Sequence, residues 1–407
     1  MIPANNINPI VKSIPQALSV YINQVAYDLK HQGKKIITLS LGEAFFDIPE
    51  FDYNDIDIRK GYHYSDSLGL PSLREKIAGY YHEHYNVSLD SNSEILITAG
   101  SKPAIFMCML TVLDKGDEVL IHEPAWLSYQ EQARLAGGEA KFIPYHEDSA
   151  NFKKYFTNKT KMLILNNPNN PQGKLYSKDE LVEIYDQCKQ NQIFLLVDEA
   201  YSDFVIDDKF ISAGSALKDK DNLFIVNSLS KNFGMSGWRI GYVVSNKYLI
   251  HQLLKLNQHL ITCAPTLLML YTDKHFDKLQ KSTLPQAIKV TEKRLEVIKI
   301  IDSIGMNYLS GSATFYIFLD VSSYQGSTYD LAMYLLVKHG IAVVPGIAYG
   351  ESTEGFIRIS VGVENIETTR FALQVINDTV NHIKISHNEL QKLILAANLP
   401  LMDSINE

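Results

Sequence analysis

The sequence predicts an α/β protein with two domains. The large domain is expected to hold a mostly parallel seven-stranded sheet between helices, and the smaller α+β domain is built from both ends of the chain. Three observations lead to this prediction. The 407 residues are enough for two to three domain-sized units. Seven short apolar runs alternate with helical patterns between residues 94 and 244, as in sheets buried on both faces. Both ends of the chain have mainly helical patterns with few strand-like runs.

The seven apolar runs define the predicted strands of the large domain. They cover residues 94–98, 118–121, 140–143, 161–165, 193–197, 222–226 and 240–244. Between them, a helix over residues 177–190 begins with a capping box of Ser177 and Glu180, and another follows Gly100. Alternating strands and helices favour a parallel sheet, in which ligands bind beyond the carboxyl ends of the strands.

The large domain is predicted to span residues 47–280, and the small domain residues 1–46 and 281–407. The boundaries are placed near Phe46 and at an expected break in helical pattern before Pro285. The small domain has a helix near residues 16–31 and strand-like runs at 36–41, 315–319 and 356–361. From about residue 384 an extension with an amphipathic pattern is expected to pack on the body or on a partner subunit. Its apolar residues are Leu390, Leu393, Ile394, Leu395, Leu399 and Leu401.

Charge and composition exclude several classes of protein. The net charge of −8 gives no electrostatic reason to bind nucleic acid or an anionic membrane, so neither partner is expected. Cys108, Cys188 and Cys263 are widely spaced and show no metal-ligand pattern, so they are interpreted as reduced residues and no metal is expected. The chain start lacks a signal-peptide pattern and no run of 18 apolar residues occurs, which predicts a cytoplasmic protein.

Two segments contain the chemical groups of a cofactor site. Ser228-Leu-Ser-Lys231 leads to Arg239, and Asp198-Glu-Ala-Tyr201 lies about thirty residues upstream. An amine, a carboxylate, a phenol, hydroxyls and a guanidinium are the groups that hold pyridoxal phosphate. Lys231 follows an apolar run, and desolvation or a nearby cation there would lower its amine pKa from about 10.4. The sequence therefore predicts an enzyme that acts on amino acids.

Further motifs extend this pattern along most of the chain. They are Leu41-Gly42-Glu43, Tyr64 with Gly69, Gly100-Ser101-Lys102, Pro124-Ala-Trp126, Asn166-Asn-Pro-Asn-Asn170-Pro-Gln-Gly173 and Arg358-Ile-Ser. Together the motifs resemble those of the class I aminotransferases, pyridoxal-phosphate enzymes of fold type I. The resemblance implies that the amino group of an L-amino acid is moved to a 2-oxo acid through an internal aldimine on Lys231.

The resemblance also implies a role for each site residue. Lys231 would act as nucleophile and as general acid and base in turn. Asp198 would keep the pyridine nitrogen protonated, and Tyr201 and Asn170 would bind the phenolic oxygen. Gly100, Ser101, Lys102, Ser228 and Arg239 would surround the phosphate, which Tyr64 reaches from a neighbouring subunit, so a homodimer with shared active sites is expected. Trp126 would stack on the ring. Arg358 would clamp the substrate α-carboxylate beside the Gly42 backbone, with Asn170 and Trp126 nearby.

Taken alone, several of these residues have simpler interpretations. Tyr64 and Trp126 could be core aromatics, Gly42 and Asn170 turn residues, and Lys102 a solvated helix-start lysine or a contact to an acidic substrate side chain. The chain has Ala44-Phe45-Phe46 where the family commonly has Pro-Asp-Phe, which leaves the substrate class open. A different reaction of the same cofactor, of the lyase, C–S cleavage or oxidase type, stays an alternative. A regulatory module fused to a DNA-binding segment is disfavoured, since no basic helix-turn-helix pattern precedes Gly42.

Overall fold

The computed structural model describes residues 7–206, 210–397 and 399, so Leu401 of the predicted extension lies outside them. In chain order the strands of this part are β1 (Ile37–Thr38), β2 (Ile95–Thr98), β3 (Glu118–His122), β4 (Glu139–Ile143), β5 (Thr160–Asn166), β6 (Phe194–Asp198), β7 (Leu223–Ser228), β8 (Gly241–Val244), β9 (Tyr316–Asp320), β10 (Ile341–Ala342), β11 (Val344–Pro345) and β12 (Phe356–Ser360). The helices are α1 (Pro9–Ser13), α2 (Leu18–His31), α3 (Pro71–Tyr85), α4 (Ser101–Val112), α5 (Ser128–Leu135), α6 (Lys178–Gln190), α7 (Ala213–Ala216), α8 (Leu229–Asn232), α9 (Lys247–Leu260), α10 (Thr266–Ser303), α11 (Thr328–His339), α12 (Ile366–His382) and α13 (His387–Ala396).

The seven predicted strands form one sheet in the order β2-β8-β7-β6-β5-β3-β4. Strand β8 runs antiparallel to β2 and β7, and the other neighbours are parallel, so the mostly parallel α/β sheet is confirmed. Each strand begins and ends within two residues of its prediction. The capping box of Ser177 and Glu180 is present at the start of α6, as predicted.

Alternate residues of the sheet enter two different hydrophobic clusters. On β6, Leu195 and Val197 face a cluster that includes α3, α6 and the first half of α10. Leu196 between them faces the opposite cluster with α4, α5 and α9. Because both faces are covered, the strands are apolar along their length, which is why they were recognisable in the sequence.

Helix α10 corrects one prediction. The expected break before Pro285 is wrong, because the helix continues through this proline from Thr266 to Ser303. Its residues up to Leu279 pack on the large sheet, and those from Ala287 onward pack on a separate cluster. Packing at both ends therefore outweighs the backbone hydrogen bond that a proline removes from a helix. Beside the proline, the Gln286 side-chain amide binds the backbone of Asp47 in both directions, at 2.8 and 3.0 Å.

The two ends of the chain meet in a second, smaller sheet region. Strands β11, β12 and β9 form a three-stranded antiparallel sheet, and β1 pairs in parallel with β10. The strand predicted at residues 36–41 is therefore present only as Ile37–Thr38. The strand-like runs at 315–319 and 356–361 correspond to β9 and β12. On one face, Ile317 and Leu319 of β9 and Ile357 and Ile359 of β12 share a cluster with α12 and the second half of α10. Phe318 and Phe356 face a separate small cluster that includes Tyr349.

The C-terminal extension packs on the body of the protein. In and after α13, Leu390, Ile394 and Leu399 are buried against α2 and α11. Leu395 points outward and is exposed. No helix in the described ranges is long and apolar enough to cross a membrane.

Candidate active site

A cavity of about 520 Å³ lies where the large sheet meets the smaller one. Strands β5, β6 and β7 end at this cavity in Asn166, Asp198 and Ser228, as parallel-sheet topology predicts. Eleven of the thirteen predicted site residues line it. They are Gly42, Ser101, Lys102, Trp126, Asn170, Asp198, Tyr201, Ser228, Lys231, Arg239 and Arg358.

Lys231 is on the short helix α8, which directly follows β7. Its Nζ donates a hydrogen bond to the carbonyl oxygen of Gly42, four residues after β1, so a distant segment of the chain holds the amine. Burial lowers the pKa of this amine to about 8; the carboxylate of Glu43 opposes that shift, and the cations Arg358 and Arg239 reinforce it. The amine is therefore partly neutral near neutral pH, as a nucleophile or general base requires.

Asp198 ends β6 with its carboxyl group buried. Burial raises the pKa of Asp198 to about 6, and two donated hydrogen bonds oppose the rise. Tyr129 donates its hydroxyl to Oδ2 at 2.7 Å, and the backbone N–H of Ala200 donates to Oδ1 at 3.1 Å. The ring of Trp126 stands edge-on to that of Tyr129, at 5.3 Å between centroids. These two hydrogen bonds thus fix the orientation of the Asp198 carboxylate, which lines the cavity.

Arg358 of β12, in the three-stranded sheet, is the centre of a hydrogen-bonded group at the cavity. Its Nη1 donates to Oδ1 of Asn170 at 3.2 Å, and its Nη2 donates to the carbonyl oxygen of Ser40 at 2.5 Å. The ring of Tyr316 lies 4.4 Å from the guanidinium carbon. The Asn170 amide donates to the Tyr201 hydroxyl at 3.3 Å. The Tyr201 and Tyr316 hydroxyls are 3.0 Å apart, so the four side chains hold one another.

The other end of the cavity offers donors suited to an anion. Gly100 has φ of +92° and precedes the first residue of α4, so Ser101 lies at a helix N-terminus. The guanidinium of Arg239 packs against Gly100 so closely that a Cβ there would lie 2.3 Å from Nη2. The Ser228 hydroxyl is buried and has no hydrogen-bond partner among the described residues. A phosphate group would satisfy these donors, so the residues fit the phosphate end of pyridoxal phosphate.

Lys102, the second residue of α4, also lines the cavity. Its Nζ lies 5.0 Å from the centre of the Trp126 ring. Partial removal from water lowers the pKa of Lys102, and the charge of Arg239 adds to the effect. The Lys102 amine therefore lies beside the ring of Trp126, the side chain that is expected to stack on the cofactor ring.

Two predicted residues do not line the cavity. Gly100 instead lies directly against the guanidinium of Arg239. Tyr64 is 83% exposed, and the structure does not bring it to the cavity of its own chain. Its interpretation as a core aromatic is therefore wrong.

Sequence reasoning missed three tyrosines of the site: Tyr129, Tyr316 and Tyr349. Each comes from a different segment, and none belongs to a motif that was recognised. The position of Tyr129, three residues after Trp126, was the only available signal. Asn166 was quoted within a motif without a role, and its amide donates to the backbone carbonyl of Asp198 at 2.8 Å.

Comparison with known proteins agrees with this geometry. The model of the aminotransferase class I and II family matches residues 35–375. The chain belongs to this family. This aminotransferase is 32% identical over 346 residues to an aspartate aminotransferase of Pyrococcus abyssi, covering 82% of this chain and 89% of the relative. It is 31% identical over 346 residues to aromatic-amino-acid aminotransferase 2 of Thermococcus litoralis, with coverage of 82% and 89%.

Solved structures of similar proteins have the same fold. A Thermotoga maritima aspartate aminotransferase superposes on this aminotransferase with a TM-score of 0.82 at 26% identity, covering 92% of this chain and all of the other. A Thermus thermophilus aspartate aminotransferase with maleate gives 0.81 at 27% identity, with coverage of 90% and 98%. The predicted family, fold class and enzyme class are confirmed. The family is pyridoxal-phosphate-dependent and acts on amino acids and 2-oxo acids.

Proposed function

We propose that this aminotransferase binds pyridoxal 5'-phosphate through Lys231 and moves the amino group of an L-amino acid to a 2-oxo acid. The observation that best supports the proposal is the Lys231 amine. It lies in the cavity with a pKa lowered to about 8, within electrostatic reach of the guanidinium groups of Arg358 and Arg239 and of the Glu43 carboxylate. An amine in this state forms imines with aldehydes readily.

The residues around the cavity would hold the cofactor at three places. Asp198 would bind the ring nitrogen, and Tyr201 with Asn170 the phenolic oxygen. Trp126 would cover the ring face. The phosphate would be bound by the residues at the start of α4 and beyond β7, which are Gly100, Ser101, Ser228 and Arg239. When bound, pyridoxal phosphate supplies an electron sink for charge that develops at the substrate Cα.

Two side chains, Lys231 and Asp198, would then move or stabilise protons. With a pKa near 8, the Lys231 amine can accept a proton at Nζ and return it without a large energetic penalty. Asp198, with a pKa near 6, is ionised at pH 7 to 8 and can stabilise a proton on the ring nitrogen. The Tyr129 hydroxyl holds the carboxylate in that ionised form.

We further propose that Arg358 binds the substrate α-carboxylate and that Lys102 binds an acidic substrate side chain. Arg358 is buried, lines the cavity and is already oriented by Asn170 and Ser40, so binding a carboxylate there carries a low entropic cost. Lys102 offers a second cation at the cavity wall. Relatives named aspartate aminotransferases support a dicarboxylic amino acid as donor, although others are named for aromatic amino acids.

A homodimer belongs to the same proposal. Tyr64 is 83% exposed and Tyr62 is 76% exposed in the segment before α3. Two neighbouring exposed aromatics are typical of a surface that another subunit covers. In a dimer, Tyr64 would reach the phosphate of the neighbouring active site. Sedimentation analysis should give a dimer, and Tyr64→Phe should weaken binding of pyridoxal phosphate.

The experiment that tests the function combines trapping with a half-reaction. Reduction by borohydride in the presence of pyridoxal phosphate, followed by peptide mapping, should label Lys231. Addition of an L-amino acid alone should bleach the yellow absorbance, and a 2-oxo acid should restore it. Release of ammonia or peroxide in amounts equal to the bleached cofactor would instead support an elimination or oxidase reaction. A label on another residue would refute the role of Lys231.

A further inference from the structure

Two buried charged side chains bind chain segments that also provide neighbours of Arg358, and they take no direct part in the proposed chemistry. Arg294 of α10 has 0% exposure, and Glu123, which follows β3, has 2%. Among the described residues neither has an ion-pair partner, and both bind backbone groups instead. Burying a charge costs free energy unless well-placed polar groups bind it, so the polar groups around Arg294 and Glu123 must be held in fixed positions.

Arg294 connects three chain segments through carbonyl oxygens. Its Nε donates to Tyr316 at 2.7 Å, Nη1 to Gly311 at 2.7 Å and Nη2 to Gln172 at 3.3 Å. Tyr316 begins β9, and Gln172 belongs to the turn that contains Asn170. The backbone N–H groups of residues 312 and 313 also bind the carbonyl of Gly173, at 2.9 and 3.0 Å. Arg294 therefore joins the two segments that provide Tyr316 and Asn170 to Arg358.

Glu123 also connects two chain segments, but it does so by accepting hydrogen bonds from N–H and O–H donors. Its carboxylate accepts hydrogen bonds from the backbone N–H of Glu351 at 3.0 Å and of Ser352 at 3.2 Å, and from the Ser352 hydroxyl. The adjacent Tyr349 carbonyl accepts a hydrogen bond from Ala125 at 2.9 Å. Glu123 thus attaches the segment of Tyr349 to the loop that leads to Trp126.

The two anchored tyrosines are the two rings that flank Arg358. The guanidinium carbon lies 4.4 Å from the Tyr316 ring and 5.4 Å from the Tyr349 ring. Arg294 binds the backbone carbonyl of Tyr316 itself, and Glu123 binds the two residues that lie two and three positions after Tyr349. A small displacement of either ring would disturb the cation–π contact and the direction of the guanidinium donors.

We propose that Arg294 and Glu123 are positioning residues that fix Tyr316 and Tyr349 against Arg358 and so set the affinity for the substrate α-carboxylate. The inference rests on the proposed role of Arg358. Every amino acid and 2-oxo acid shares this carboxylate, so the effect must be equal for all substrates. A residue that binds the side chain would affect only some of them.

Arg294→Lys and Glu123→Gln test the proposal in the enzyme loaded with pyridoxal phosphate. Each should raise the KM for L-aspartate and for L-phenylalanine by the same factor, about tenfold, with kcat within about threefold of the wild type. The dissociation constant of pyridoxal phosphate, measured by absorbance, should change less than about threefold. Arg358→Lys serves as the reference for an enzyme whose binding of the substrate α-carboxylate is directly impaired.

Two matched variants control for loss of buried hydrogen bonds. Thr291→Val removes the bond from the Thr291 hydroxyl to Ala287 in the same helix α10. Glu118→Gln changes a buried carboxylate at the far end of β3, which accepts from Thr157 and Thr160. Both should lower the melting temperature and leave KM unchanged.

Unchanged KM in folded Arg294→Lys or Glu123→Gln, with a lowered melting temperature alone, would overturn the proposal. A KM rise confined to L-aspartate would do the same. Should one variant fail to fold, the other decides, since each acts on a different ring. If the wild type reacts with no amino acid, the proposed function is refuted. If the wild type reacts and the variants have the same KM as the wild type, only the positioning role of Arg294 and Glu123 is refuted.

Discussion

The Tyr129 hydroxyl donates to Oδ2 of Asp198 at 2.7 Å, and both groups are buried. This bond favours the ionised carboxylate and opposes the effect of burial, which raises the pKa of Asp198 to about 6. The proton proposed at the ring nitrogen therefore depends on a residue outside the recognised motifs.

Replacing Tyr129 with phenylalanine should raise the pKa of Asp198 further, since a donor to the carboxylate is lost. A hydrogen bond to a charged group contributes about 1.5–3 kcal/mol, so kcat should fall by about tenfold or more. Carbon NMR of labelled aspartate in the cofactor-free protein would measure the pKa. Tyr176→Phe is the matched control, because Tyr176 is buried and bonded to His122 away from the cavity. Equal effects of the two variants on kcat would contradict this interpretation.

The raised pKa of Asp198 should also appear in the stability of the cofactor-free protein. The native carboxyl binds its proton more tightly than the unfolded one, so the free energy of unfolding falls as pH rises from about 4 to about 6. The shift from 3.8 to about 6 corresponds to about 3 kcal/mol at most, and this cost persists above pH 6. Asp198→Asn should therefore be more stable than the wild type at pH 7.5 and lose that advantage near pH 4. Denaturant unfolding at both pH values measures this difference, and a difference independent of pH would exclude Asp198 as its source.

Lys102→Met should separate acidic from aromatic donors. If Lys102 binds the substrate side-chain carboxylate, the variant should raise the KM for L-aspartate by about tenfold, since a charge-assisted hydrogen bond is lost. The KM for L-phenylalanine should stay the same or fall, because an apolar side chain replaces a cation. Steady-state kinetics with both donors provide the test. A similar rise for both would assign Lys102 to the cofactor instead.

Gly100→Ala should weaken binding of pyridoxal phosphate. The added Cβ would lie 2.3 Å from Nη2 of Arg239 and displace that guanidinium, so the dissociation constant should rise by about tenfold or more. Gly116→Ala separates the clash from backbone strain, since Gly116 also has positive φ, +87°, but no atom within 4 Å of the added Cβ. Titration of the cofactor by absorbance compares the two variants. Equal weakening in both would assign the effect to strain.

The sequence predicted the large sheet because both of its faces are buried and its strands are continuous apolar runs. It also predicted the convergence of Asp198, Ser228 and Lys231, since parallel strands end at one edge of a sheet. It did not predict Tyr129, Tyr316 and Tyr349, which approach the site from separate segments through tertiary packing. The helix through Pro285 was missed for a related reason. Local propensity opposes a helix there, but residues up to Leu279 and from Ala287 pack on different clusters and keep it intact.

Helix α10 spans about 57 Å at 1.5 Å per residue and connects the two hydrophobic clusters as a single rod. A relative rotation of the clusters therefore requires this rod to flex. Pro285 lies between the last residue that packs on one cluster and the first that packs on the other. Because a proline has no N–H to donate within a helix, we expect any bending of the rod to occur there. Flexing there would swing Arg294, nine residues further along, together with the tyrosine ring that it anchors. Bending of α10 at Pro285 would thereby change the surroundings of Arg358 in the cavity.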